Sequence, residues 1–230
     1  TGVGNHATSV HIATAATYNS TSTTTNMKID NNSRISLGNN DLSAVTSTTI
    51  FGYLAGQDIA SGATSNTYFG SYAGSENTDG DDNTYIGANA GLGVNGNANS
   101  SNVGVGKDAL LAITTGGSNV AIGKEAMLAA TACGTNIAIG AEALKAIAVG
   151  EENNIAIGVG AMYLMDEGAG DIDFNIAIGR NALIGGDVAG NATQIQGNIA
   201  IGYQALDATS TNAQTGTIAI GHQALTALTS

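Results

Sequence analysis

Residues 198–206 read NIAIGYQAL and residues 217–225 read TIAIGHQAL. The same short pattern recurs along most of the chain. Its anchoring glycines are Gly38, Gly52, Gly70, Gly87, Gly106, Gly123, Gly140, Gly158, Gly179, Gly202 and Gly221, mostly 17–19 residues apart. A repeat of this period constrains the fold more than any composition figure. Each unit is one small structural element that buries its apolar face only by stacking on its neighbours. The eleven units, of which the first is poor, cover about residues 34–225.

Aligned on the glycine, the units resolve into columns. A large apolar residue precedes every glycine, among them Ile122, Ile139, Ile157, Ile178, Ile201 and Ile220. A column that stays apolar beside variable polar neighbours predicts a core column, so these isoleucines are expected inside. The glycines, Gly70 to Gly221, are expected to permit a tight bend or a close backbone approach. Asn stands four places before the glycine from Asn66 to Asn198. Stacked, these asparagines form a ladder or supply left-handed corner residues. One and two places after the glycine lie mostly polar residues, such as Lys124–Glu125 and Tyr203–Gln204, which predict a solvent column.

A run such as IAI has strand character, with its two isoleucines on one face and its alanine on the other. The stretch after the glycine, for instance KEAMLAA, contains good helix formers and predicts either a helical turn or a short second strand. Burying the few apolar side chains of one unit does not offset the entropy of ordering it. The units therefore stack, and the expected fold is an all-β parallel solenoid with one short strand per repeat. At about 4.8 Å per strand, eleven coils make a rod about 50 Å long.

The residue two before the glycine is small in the later units, from Gly104 and Ala121 to Ala219, but is Ile50, Tyr68 and Tyr85 in the earlier ones. Such a strip of Ala and Gly either admits the backbone of another chain or tolerates a crowded corner. The change near residue 95 predicts a change in cross-section. Residues 1–33, rich in Thr, Ser and Asn, read as an extended N-terminal segment, and residues 34–230 as the solenoid.

With a net charge of −12 and only six dispersed basic residues, the chain has no patch to track a phosphate backbone. Nucleic acid is not an expected partner. Short apolar runs broken by Gly and Asn predict no membrane insertion.

The series Asn119–Val–Ala–Ile–Gly123 and Asn136–Ile–Ala–Ile–Gly140 resembles the head repeats of trimeric autotransporter adhesins. The longer unit ending in GYQAL, the NTYIG variants and MKIDNNSRISLG before the repeats look still more like phage tail fibres and related virion fibres. The likeness spans about four-fifths of the chain. It implies a β-roll in an intertwined or side-by-side homotrimer and a structural fibre or adhesin on the virion surface. The partners implied are other virion or fibre proteins and a host cell-surface receptor or glycan. The head of a bacterial surface adhesin is the alternative, at the bacterial cell surface. A polysaccharide-degrading spike is a lesser one.

Chemistry leaves little trace in these residues. His6, His11 and His222 share no metal-ligand spacing with one another or with Cys133. Cys133 is expected in a loop, without a base to activate it. No phosphate-binding loop occurs. A flat threonine array for ice binding is interrupted, because Val103 and Ile137 replace the column of Thr67 and Thr84. The acidic turns with Glu76, Asp79, Asp81 and Asp82, and with Asp166, Glu167, Asp171 and Asp173, read as solvated loops or as oxygen donors for calcium. No catalytic residue, cofactor or metal is expected, and the insertions at 163–174 and 184–197 are expected to bulge outward.

Overall fold

The computed structural model describes residues 10–13, 25–29, 35–36, 48–60, 62–94, 96, 98–165, 171–185, 194–207 and 214–226. Near the N-terminus, β1 (Val10–Ala13), β2 (Thr25–Ile29) and β3 (Ile35–Ser36) form an antiparallel sheet with β2 in the middle. Ile35 and Ser36 thus pair with the N-terminal segment rather than with the repeats, and the unit at Gly38 lies outside the described residues. The remaining units each give a three-residue strand to one ten-stranded parallel sheet. These are β4 (Thr49–Phe51), β5 (Thr67–Phe69), β6 (Thr84–Ile86), β7 (Val103–Val105), β8 (Val120–Ile122), β10 (Ile137–Ile139), β12 (Ile155–Ile157), β14 (Ile176–Ile178), β16 (Ile199–Ile201) and β18 (Ile218–Ile220).

Strand follows strand in chain order, as a solenoid requires. The register sets like on like: Ile137, Ala138 and Ile139 pair with Val120, Ala121 and Ile122. Further parallel strands pair outside this sheet, β9 (Ala132–Gly134) with β11 (Val149–Glu152), and the two-residue strands β13 (Ile172–Asp173), β15 (Ile195–Gln196) and β17 (Gln214–Thr215) with one another in that order.

The stretch after each glycine is neither the helical turn nor the strand. It alternates right- and left-handed backbone, as at Glu125 (φ 59°) and Met127 (φ 51°). The consequence is hydrogen bonding in both axial directions. The N–H groups of Gly123 and Glu125 donate to Val105 and Lys107 in the preceding coil at 2.8 and 2.9 Å. Those of Met127 and Ala129 donate to Ala143 and Lys145 in the next, both at 3.0 Å. Backbone groups that a helix would satisfy within itself are satisfied here between coils.

Close stacking explains the invariant glycine. A Cβ at Gly87, Gly106, Gly140 or Gly158 would lie 2.5 Å from the carbonyl oxygen of the glycine one coil on, and each has a φ between 134° and 137°. The asparagines form the ladder, buried along its whole length. Asn136 Oδ1 accepts the backbone N–H and the Nδ2 of Asn154 at 2.9 and 3.1 Å, and Asn136 Nδ2 donates to the Glu151 carbonyl at 2.8 Å. Left-handed backbone falls on the residue before the asparagine, for example Thr135 (φ 58°). Thr48 begins the series, its Oγ1 accepting the Asn66 N–H, and Thr217 ends it on Asn198 Oδ1.

Candidate functional site

The two faces of the ten-stranded sheet are the reverse of the sequence expectation. The small column is the core: Ala121, Ala138, Ala156, Ala177 and Ala200 are wholly buried. The isoleucines expected there point outward. Ile122, Ile139 and Ile178 are more than a third exposed, Ile220 is 65% exposed, and Ile157 and Ile201 are half-buried. The alanine strip therefore gives no other chain access.

The reason is the width of the coil. Inside it, the alanine faces the residue four places after the glycine, which is Met127, Leu144, Met162, Leu183 or Leu206, each wholly buried. Two walls of isoleucine and leucine would overfill that space. In the early coils the sizes are exchanged: Tyr68 and Tyr85 fill the interior, while Gly74 and Gly91 stand opposite. A Cβ on Gly74 would lie 2.6 Å from the Tyr68 ring. The change near residue 95 thus swaps which wall supplies the volume. Gly104 sits at the changeover, where a Cβ would meet the Tyr85 ring at 3.0 Å and Leu110 at 3.5 Å. This reciprocal swap, Tyr with Gly and then Ala with Leu or Met, was the sequence signal for which columns face each other.

The tyrosine hydroxyls are held inside. Asn77 Nδ2 donates to Tyr68 at 2.5 Å, and Tyr85 donates to Asn99 Oδ1 at 2.5 Å. Burial raises both phenols above their ordinary range.

Outward, the sheet presents two parallel columns of ten positions. Apart from Thr49, Thr67 and Thr84 they hold only Val, Ile and Phe, with Phe51 and Phe69 stacked at 5.0 Å. No charged residue stands on this face. Charges begin at the next corner, where Glu125 bridges Lys124 at 2.8 Å and Lys145 at 2.6 Å. Hydrogen bonds from these two lysines hold the Glu125 carboxyl at about 2. Lys145 also lies 5.4 Å from the Tyr163 ring centroid. In the solvent column, His222 stacks on Tyr203 at 5.2 Å.

Candidates for chemistry are placed as follows. Cys133 is in β9 rather than a loop, with its side chain buried. Asp81 Oδ1 accepts the Thr64 N–H and hydroxyl at 2.6 and 3.0 Å. Glu76 is raised by burial and by Asp58 one coil away. Asp173 Oδ1 accepts the Glu152 N–H at 2.8 Å, and burial, then neighbouring carboxylates, raise it. Asp166 and Glu167 lie outside the described residues, as do residues 166–170 of the first expected bulge and 186–193 of the second. Among the described residues, no three His, Cys, Asp or Glu side chains converge on one point. An open groove of about 320 Å³ runs over Gly116, Gly117 and Gly134, edged by Thr115, Ser118, Thr135 and Glu152.

No protein-family model, curated protein or solved structure matches this chain.

Proposed function

We propose that this chain is a structural fibre or adhesin module of a virion, a stiff rod that assembles as a homotrimer and presents a surface to a host receptor or glycan. One observation carries the reading: the uncharged face of Val, Ile and Phe, with Thr in one column of its first three strands, that continues over ten strands. Nine spacings of about 4.8 Å give it a length of about 43 Å, and two outward columns a width of about 10 Å. Single exposed apolar residues are ordinary, but a continuous patch of this extent marks a contact surface. Its partner is a second and third copy of the same face, because identical columns of β-branched side chains pack along a common axis without register conflict. The net charge of −12 is then carried on the outer walls, where it keeps finished rods apart.

Sedimentation with light scattering tests this. Three chains per particle are expected, and Ile139→Asp with Ile157→Asp is expected to give single chains whose β-type circular dichroism is retained. An unmodified chain that stays monomeric at tens of micromolar would refute the reading.

A further inference from the structure

We infer that the groove over Gly117 and Gly134 binds one neutral sugar residue of a glycan, which takes the proposed glycan-presenting role as its premise. The groove exists because one column loses its side chains for two coils. The position two before the asparagine carries a side chain at Thr64, Asp81, Ser100, Glu152, Asp173 and Gln196, but none at Gly117 and Gly134. Neither glycine has the left-handed backbone that would demand one. A Cβ at Gly134 would have a single close neighbour, the Gly117 carbonyl oxygen at 3.2 Å. Gly116 differs, because a Cβ there would lie 2.3 Å from the Cys133 carbonyl oxygen.

The missing side chains leave a donor open. Along this column a backbone N–H is capped by the side chain one coil on. Asp81 Oδ1 accepts from Thr64 at 2.6 Å, Ser100 Oγ from Asp81 at 3.0 Å, and Asp173 Oδ1 from Glu152 at 2.8 Å. For Gly117 the cap would belong to residue 134, and its N–H has no acceptor among the described residues. The neighbouring Thr114 and Thr131 hydroxyls donate to carbonyls at 2.9 and 2.7 Å. Those of Thr115, Ser118 and Thr135, which line the groove, have no protein partner among the described residues, nor has the Glu152 carboxylate.

Charge selects the ligand. Asp79, Asp81 and Asp82 precede the groove along the chain, and Glu152, Asp171 and Asp173 edge or follow it. Lys107, Lys124, Lys145 and Arg180 all lie within five residues after the glycine of their unit, on another part of the coil. An anion is therefore repelled. A sugar hydroxyl both donates and accepts, so one ring can accept from the Gly117 N–H and donate to Glu152 while the three rim hydroxyls bond its remaining oxygens. The volume of about 320 Å³ is at the small end of ligand sites and suits a single ring. On the next coil Phe174 is 62% exposed, its N–H donating to the Glu152 carbonyl at 3.2 Å, and it offers an adjoining sugar an apolar face.

Saturation-transfer NMR on the full chain tests this, with neutral trisaccharides of glucose, galactose and N-acetylglucosamine and with 3′-sialyllactose as the anionic probe. Transfer to at least one neutral probe and none to sialyllactose is expected. Gly134→Gln, which places in the groove the residue found at 196, should abolish it with circular dichroism unchanged. Glu152→Gln, at an exposed position, should weaken binding about tenfold. No transfer to any neutral probe would overturn the site. So would equal transfer to sialyllactose, or binding that both variants leave intact. Sedimentation of the same samples separates the two readings: trimers that bind no sugar overturn the groove alone, and monomers that bind sugar overturn the trimeric rod alone.

Discussion

Tyr85 and Gly91 offer the sharpest test of the inside-out core. Tyr85 is wholly buried, and Tyr85→Ala removes its ring from the interior at a cost of about 3–5 kcal/mol. Gly91→Leu alone drives a side chain into that ring, since a Cβ on Gly91 already collides with it, and costs about 3 kcal/mol. The left-handed backbone adds about 1 kcal/mol for any side chain but does not forbid one: Gly91 has φ 57°, and Leu110 and Leu144 occupy the same place in their coils at 53° and 47°. The double variant recreates the Ala138–Leu144 pair. What it fails to restore is the Tyr85 hydroxyl bond to Asn99, about 1–2 kcal/mol. The two changes should therefore couple favourably by about 3 kcal/mol in a double-mutant cycle. Coils of a solenoid need not unfold together. Native-state hydrogen exchange at the Gly87 and Gly106 amides, which donate to Phe69 and Ile86 in the preceding coils, gives the local free energies. Additivity within about 0.5 kcal/mol would show that these columns do not face each other.

Gly140→Ala forces a Cβ against the Gly158 carbonyl and is expected to unfold neighbouring coils. Gly221→Ala, at a similar φ but with only Ala224 Cβ at 3.9 Å, should lower the melting temperature far less. Asn136→Ala strips the Asn154 N–H of its acceptor and should cost about 3 kcal/mol in chemical denaturation. An unchanged midpoint would mean that the ladder is incidental. Glu125 is held below its ordinary value, so its contribution is present above the usual carboxylate range and lost as pH falls toward about 2. Carbon-detected NMR titration should show that depressed midpoint in the native chain and an ordinary one after Lys124→Met with Lys145→Met. Glu76 is shifted the other way. Its favourable term belongs to the protonated form and fades as pH rises through the folded value, and Asp58→Asn should remove much of the shift.

The residues themselves announced the period, the parallel stacking, the glycine column and the asparagine column, which the structure resolved as a ladder rather than as left-handed corners. Each follows from a local requirement repeated at fixed spacing. Glycine avoids the carbonyl one coil on, and an asparagine amide has the donors and acceptor to bridge coils. The path after the glycine was not legible, because KEAMLAA suits a helix by propensity. Only the inter-coil bonds of Gly123, Glu125, Met127 and Ala129 impose the alternating backbone there.

The outward face was misread for a related reason. Period-two alternation shows that Ile137 and Ile139 share a side and Ala138 takes the other, but it does not say which side is inside. Hydrophobicity favours the isoleucines for the interior. Volume decides against them, because the opposite wall already supplies leucine, methionine or, in exchange with tyrosine, glycine. By itself, then, the sequence determined a stacked parallel solenoid and the membership of every column. Only the tertiary structure decided which column is core and which is surface, because that depends on the distance between walls far apart in each repeat.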